Sequence, residues 1–301
     1  MSFAKQVELL KQRGLIIENE IKARKILENV SYNKLSNYWY PFLAEPKDAE
    51  IFSPEIKFEK IFKIYQFDSE LRVLVFNSIE QIEVALKTQI IYHLSHADDN
   101  GYGFLNPAHY KNHERYIRTV LGFYEANHQS SLPYIDKFKR KYENPLPPAW
   151  KTLEIISFRA SMNIFKNLRQ RPFQEKISDH FGIHHVVLLS WLNCLVYVRN
   201  ICAHHARFWN IILTIAPVWP KSPRYDWVVR WENSSTNLST QDKQLKTYAA
   251  LCLIKYLLDR VNPYNKFQTR LFSLLDQFPE VNERMIGMPP KWKMENLWQR
   301  K

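Results

Sequence analysis

The chain has 301 residues, of which 46% are hydrophobic and 14% aromatic, so it is long enough and apolar enough to bury a substantial core. Six glycines are few for this length, which argues against a sheet protein and favours helices joined by few tight turns. Subtracting 30 acidic from 42 basic residues leaves a net charge of +12, so a polyanion is a natural partner, although excess lysine and arginine also keep proteins soluble.

Residues 1–54 are predicted to form an N-terminal helical region that packs on the core. Two short amphipathic helices are expected over residues 3–12 and 18–30. The next segment, SYNKLSNYWYPF at residues 31–42, has aromatic residues at helical spacing. These rings could stack nucleic acid bases, but the simpler interpretation is that they dock the N-terminal helices onto the core.

A helical core is predicted over residues 55–232. It begins with the longest helical pattern in the chain, from Glu55 to about His96, which contains neither proline nor glycine. Within it, Asp68 with Arg72 and Glu83 with Lys87 are i,i+4 pairs in the favourable orientation.

The middle of the core region is expected to hold several shorter helices. Residues 98–109 are predicted to be a loop, and residues 113–141 two helices split at Pro133. Further helices are predicted over residues 150–168 and 172–180. Basic residues end two of these helices, where they could contact phosphates or simply be solvated helix ends.

An apolar run at residues 186–198 leads into the segment YVRNICAHHARFWN at residues 197–210. If this segment is helical, Asn200, His204 and Arg207 share one stripe, and the long side chain of Arg199 can lean toward it. The pattern therefore predicts a compact cationic site at the end of an apolar helix. The other interpretation is a hydrogen-bonded junction between helices.

This side-chain set points to one kind of chemistry. The segment offers imidazole and guanidinium groups, and the sequence contains no G-x-S-x-G, Gly-rich phosphate loop or HExxH motif. Such a set suits RNA cleavage by attack of the ribose 2′-hydroxyl on the adjacent phosphorus, with a histidine moving the proton and a guanidinium holding the phosphate oxygens. No cofactor and no metal ion are predicted for this reaction.

The C-terminal region, residues 233–301, is predicted to be helical and packed on the core. NSSTNLST at residues 233–240 is the best candidate for a mobile loop, and Thr240 is expected to cap a helix that ends near Asn262. Another helix is predicted over residues 263–278, followed by a tail rich in proline and tryptophan.

Several blocks of the sequence resemble one known family. They are the RN-x(3)-H pattern of Arg199, Asn200 and His204, together with residues 13–42, 67–95, 147–158 and 285–292, in the family's order. They resemble the Abi-like proteins (AbiD and AbiF type) of bacterial abortive infection systems, a branch of the HEPN superfamily of all-helical ribonucleases. The resemblance implies an all-α fold with a HEPN-like helical bundle core and additional N-terminal and C-terminal helices.

The resemblance also implies roles for individual residues. Arg199 would bind the phosphate and the transition state, His204 would act as general base or acid, and Asn200 would orient His204 or the phosphate. His205 ranks second to His204, and Arg207 is a further phosphate contact or a core salt bridge. On the long helix, Glu83 or Arg72 could touch this site, the alternative being a structural ion pair.

The resemblance implies a homodimer in which two motifs face each other, because in-line cleavage profits from both a base and an acid. The first functional hypothesis is a metal-independent endoribonuclease toxin of phage defence, leaving a 2′,3′-cyclic phosphate and restrained by a regulatory non-coding RNA or an antitoxin. The second is a non-catalytic RNA-binding module that uses the same basic pocket. The third is a basic helical regulator that binds DNA.

The remaining features indicate a cytoplasmic protein. Three cysteines, Cys194, Cys202 and Cys252, have no C-x-x-C spacing and no even count, and Cys194 and Cys202, in or beside the apolar run, are expected to be small buried hydrophobes. The N-terminus shows no signal region. The longest apolar run, at residues 186–198, is shorter than the roughly 20 residues that span a bilayer. No membrane partner is predicted.

Overall fold

A computed structural model describes residues 1–228 and 245–299 of the chain. Within these ranges the secondary structure is helical, with a few isolated β-bridges and no strand, so the predicted all-α fold is confirmed. In chain order the helices are α1 (Phe3–Gln12), α2 (Glu20–Asn29), α3 (Tyr32–Trp39), α4 (Phe58–Ala97), α5 (His113–Gln129), α6 (Pro133–Lys141), α7 (Ala149–Thr152), α8 (Phe158–Asn167), α9 (Lys176–Phe181), α10 (His185–Ala203), α11 (Thr247–Val261), α12 (Phe267–Gln277) and α13 (Glu283–Ile286).

The 40-residue helix α4 is the centre of the fold. Its buried residues recur every three or four positions from Phe58 to Leu94, which is the period of one face of an α-helix. Helices α3, α8, α10, α11 and α12 all pack against it. Helix α11 is buried on every side, because each residue from Thr247 to Leu258 is buried.

The N-terminal helices lie on the same core. Leu10, Leu27 and Leu35, one from each of α1, α2 and α3, belong to a single hydrophobic cluster that extends through α4 to the C-terminal helices. The interpretation of the aromatic segment as a docking element is supported by Tyr38 and Trp39, whose rings are buried in that cluster.

Two helix predictions in the middle of the chain need correction. Residues 150–168 form two helices rather than one, because the Ser157 hydroxyl accepts the Ala160 N–H at 3.2 Å and starts α8 as an N-cap. The helix predicted over residues 172–180 starts as a short π-helix, Gln170–Glu175, and is α-helical only from Lys176. The predicted split at Pro133 is observed between α5 and α6.

The C-terminal predictions are tested only in part. The loop at residues 233–240 and the cap at Thr240 lie outside the described residues. Helix α11 is described from Thr247 and ends at Val261, one residue before the predicted end. The next helix starts at Phe267 rather than at residue 263. At this start, the Asn265 side chain accepts the Phe267 N–H at 3.0 Å.

Helix α10 is long and apolar enough to cross a membrane by length and composition. The apolar run at residues 186–198 thus lies within a helix of 19 residues. In this structure nine of those residues are buried against the rest of the chain, among them Trp191, Leu195 and Val198. Cys194 and Cys202 are buried and free, as expected, and Cys252 is buried and free as well.

Candidate active site

The RN-x(3)-H segment lies at the C-terminal end of α10, and the helix stops inside it. His204 is the C-cap residue, and its N–H bonds to the Asn200 carbonyl at 2.9 Å. His205 follows with a φ of +54°, and the Ala206 N–H bonds back to the Ile201 carbonyl at 3.0 Å. This is a Schellman-type helix end in which histidine holds the left-handed position that glycine usually takes.

The helix end overturns one prediction about the site. Because α10 ends at Ala203, Arg207 lies beyond the helix and does not share a helical stripe with Asn200 and His204. The Arg207 guanidinium instead donates to the Asn37 carbonyl of α3 at 2.5 Å. Arg207 therefore ties the chain after the motif to the N-terminal region.

A cleft of about 330 Å³ opens between the end of α10 and helix α3. Its walls combine His204 and Arg207 with Ser31, Asn33, Lys34 and Asn37. His204 is exposed, as is His205, whereas Arg199 and Asn200 are partly buried. The Lys34 ammonium donates to the His205 carbonyl, so a cation from α3 touches the motif directly.

Lys34 is a site residue that sequence reasoning missed. It is separated from His205 by 171 positions, and only the docking of α3 brings the two together. One feature of the sequence could have indicated it. Within residues 31–42, Asn33, Lys34 and Asn37 lie between the aromatic residues at helical spacing, so they form a polar face. Burial and the nearby Arg72 charge lower the pKa of Lys34, while Asp68 opposes that shift.

A buried polar network lies beneath the motif. The Asp68 carboxylate forms an ion pair with Arg72 and accepts the Tyr38 hydroxyl at 2.6 Å. It also accepts the backbone N–H groups of Phe208 at 3.1 Å and of Trp209 at 2.7 Å. One carboxylate thus joins α3 and α4 to the chain that leaves the motif.

The buried network holds the Arg72 side chain away from the cleft. Its side chain is 6% exposed, and its guanidinium also donates to the Tyr38 hydroxyl at 3.1 Å. Burial raises the pKa of Asp68, and the Arg72 charge and the hydrogen bonds to the carboxylate oppose that rise. The structure therefore places Arg72 behind the site, where it positions the backbone rather than facing the cleft.

Helices α4 and α10 run antiparallel beside the motif. The Arg199 guanidinium lies 5.5 Å from the centroid of the Phe76 ring. Phe208, which comes later in the chain than Arg199, contacts Asp68, which comes earlier on α4 than Phe76. Arg199 is not among the residues that line the cleft with His204. Within one chain, Arg199 therefore contacts α4 and does not line the cleft that contains His204.

Glu83 lies apart from the motif. It is seven positions after Phe76 on α4, which corresponds to about 10 Å along the helix axis. Its carboxylate pairs with Lys87 at 2.9 Å, and the Lys87 ammonium also donates to the Glu154 carbonyl at 3.2 Å. Glu83 thus belongs to a contact between α4 and the chain between α7 and α8.

Across residues 1–228 and 245–299, no group of three or more histidine, cysteine, aspartate or glutamate residues is arranged to hold a metal ion.

The family described as Abi-like protein matches this chain over residues 25–210, which is more than half of its length. That range includes α3, α4 and the whole RN-x(3)-H segment. No curated protein and no solved structure matches.

Proposed function

The chain belongs to the Abi-like protein family, which implies a role in abortive infection, a bacterial defence against phage, and we propose that it acts there as a metal-independent endoribonuclease toxin. The observation that carries the proposal is the exposed His204 in a cleft shared with Lys34 and Arg207. An imidazole that reaches solvent beside two cations can move a proton next to a bound phosphodiester.

The proposed reaction is transesterification of RNA. His204 removes the proton from a ribose 2′-hydroxyl, and the 2′-oxygen attacks the adjacent phosphorus. The bond from phosphorus to O5′ breaks, a proton is delivered to the leaving oxygen, and the products carry a 2′,3′-cyclic phosphate and a 5′-hydroxyl. Arg199, Lys34 and Arg207 stabilise the charge that develops on the phosphate oxygens, and Asn200 orients His204 or the phosphate.

A second copy of the chain would complete this site. One histidine per motif supplies a base or an acid, and Arg199 lies outside the cleft that contains His204. Next to Arg199, helix α4 exposes a stripe that contains Val73, Phe76 and Val84, which are 69%, 37% and 53% exposed, together with the exposed polar residues Asn77 and Glu80. We propose that this stripe meets its counterpart in a homodimer, so that two motifs face each other.

The proposed partners follow from the same reaction. The substrate is RNA, in line with the net charge of +12. A toxin of this kind needs a restraint before infection, and we propose a regulatory non-coding RNA or an antitoxin that covers the cleft. The cytoplasm is the proposed location, because the substrate is there.

A second candidate function is a non-catalytic RNA-binding module. One observation favours it: within the described residues, the His204 side chain makes no hydrogen bond that would fix its tautomer or its ring orientation. In this alternative, the cations of the cleft hold RNA and no bond is broken.

Growth after induced expression separates the two functions. The nuclease proposal predicts that wild-type protein arrests growth, that His204→Ala abolishes the arrest, and that the variant keeps RNA affinity within about threefold. Arrest by both proteins with equal RNA affinity would support the binding module instead. The variant His128→Ala, at an exposed histidine on α5, is the matched control and should arrest growth like the wild type.

A further inference from the structure

A second cleft, of about 520 Å³, opens where the C-terminal end of α4 meets the segment between α8 and α9. We call it the histidine cleft; it is lined by Tyr92, His93, His96, His109, Arg169 and Lys176. Its volume is in the range of small-molecule sites. Phe76, the contact of Arg199, is 17 positions from His93 on α4, or about 25 Å along the helix, so this cleft is separate from the candidate active site.

Two basic side chains of the cleft are available to a ligand. The Lys176 ammonium is exposed and makes no ion pair or hydrogen bond with the part of the chain that the structure describes. Arg169 uses only its Nε, which donates to the Ala108 carbonyl at 2.5 Å. The Arg169 backbone N–H also bonds to the His109 carbonyl at 2.9 Å, so this arginine is anchored while its two terminal nitrogens remain without a hydrogen bond to the described residues.

Acidic residues close in sequence to the cleft residues already have partners. Glu175, next to Lys176, accepts the Gln170 amide at 2.9 Å. Asp98 lies with Oδ1 at 3.1 Å from the His109 Nε2, and its Oδ2 accepts the Asn106 amide at 3.0 Å. Asp179 on α9 pairs with Arg224 at 3.3 Å. The residues that line the cleft include the basic side chains of Arg169 and Lys176 and no acidic side chain.

Two histidines at this cleft have lowered pKa values, mainly because they are partly buried. Burial lowers the pKa of His93, and the charges of Lys176, His96 and His180 lower it further. Burial also lowers the pKa of His180, which is on α9 beside this cleft. A bound anion would oppose these shifts, because a nearby negative charge favours the protonated form of an imidazole.

The cleft also presents an aromatic surface. The Tyr92 side chain is 55% exposed, and its ring centroid lies 4.4 Å from that of His96. On the opposite wall, the His109 ring is held edge-on to Phe173 at 4.9 Å. An exposed ring beside free cations is the combination that binds a nucleobase and its phosphate together.

We propose that the histidine cleft binds a phosphorylated nucleotide, with the phosphate on Lys176 and Arg169 and the base on Tyr92. The nucleotide is either free or the 5′-phosphorylated end of an RNA strand, since both present the same chemistry. This site does not depend on catalysis at His204.

Calorimetric titration of the full-length His204→Ala protein tests the proposal, because this variant cannot consume an RNA ligand. The probes are adenosine 5′-monophosphate, adenosine, and one RNA decamer with and without a 5′-phosphate. We expect the phosphorylated member of at least one pair to bind at least tenfold more tightly than its unphosphorylated partner. Binding of the mononucleotide identifies a free nucleotide as ligand, and binding of the decamer alone identifies an RNA end.

Two variants locate the binding. Lys176→Ala should weaken binding of the phosphorylated probe at least tenfold, because it removes a direct phosphate contact. Arg171→Ala is the matched control: Arg171 is exposed and close in sequence but does not line the cleft, so the change should be less than twofold. The proposal is overturned if neither pair shows a phosphate preference, or if Arg171→Ala weakens binding as much as Lys176→Ala.

Discussion

At the scale of single residues, the end of α10 depends on a histidine in an unusual backbone conformation. His205 has a φ of +54°, which L-residues adopt at a cost of about 1–2 kcal/mol. We expect His205→Gly to keep or raise the free energy of unfolding and His205→Val to lower it by about 1–2 kcal/mol relative to glycine. Urea unfolding measures both.

The same variants separate the two histidines in function. His205→Gly should retain RNA cleavage within about threefold, because its side chain is not assigned a catalytic role. If His205→Gly abolished cleavage while folding normally, the assignment of His204 as the catalytic histidine would be wrong.

Lys34 gives the second test at this scale. The proposed phosphate contact predicts that Lys34→Ala lowers cleavage by about 10- to 100-fold, the loss of one charged contact to the developing charge. Lys25→Ala on α2 is the control, since its exposed side chain lies away from the cleft. Equal activity of the two variants would remove Lys34 from the site.

The sequence predicted the site residues only as far as local spacing allowed. Arg199, Asn200, His204 and Arg207 are recognisable because they are close in the chain. The predicted stripe does not include Arg207, because α10 ends at Ala203. This helix end was not recognisable from the sequence, because histidine, and not glycine, takes the left-handed position at residue 205. Lys34 could not be assigned, because its contact with His205 spans 171 positions and depends on how α3 docks.

At the scale of elements, Asp68 connects three parts of the chain around the motif. Asp68→Asn would leave the buried Arg72 charge without its partner, and we expect a loss of about 3–5 kcal/mol in the free energy of unfolding. Glu114→Gln breaks an exposed i,i+4 pair with Arg118 on α5 and should cost less than about 0.5 kcal/mol. Chemical denaturation of both variants makes the comparison.

A double variant tests the reason for that loss. Asp68→Asn combined with Arg72→Met removes both charges, so it should recover part of the stability that Asp68→Asn loses. A double variant whose loss of stability equals the sum of the losses in Asp68→Asn and Arg72→Met would show that the carboxylate and the guanidinium are not coupled.

The elements themselves were predictable where the pattern was long. Helix α4 was expected from Glu55 to about His96 and runs from Phe58 to Ala97, because its apolar period continues over 40 residues. Short elements were less predictable. A single hydroxyl, that of Ser157, starts α8, and apolar periodicity over residues 150–168 does not reveal that interruption.

At the scale of the whole molecule, the proposed homodimer rests on the exposed stripe of α4. Val84→Asp should shift the protein from dimer to monomer in analytical ultracentrifugation, because a charge in an apolar contact is costly to desolvate. Ile21→Asp is the control, since Ile21 is 85% exposed on α2, away from the stripe. Wild-type protein that sediments as a monomer at all concentrations would contradict the dimer.

The most direct test of the nuclease proposal is incubation of a long single-stranded RNA with purified protein in the presence of EDTA. Wild type and His204→Ala are compared, and the ends of the products are identified. We predict cleavage by the wild type alone, with 2′,3′-cyclic phosphate and 5′-hydroxyl ends. Cleavage that appears only when a divalent metal is restored, or tight RNA binding by both proteins without cleavage by either, would contradict a metal-independent reaction at His204.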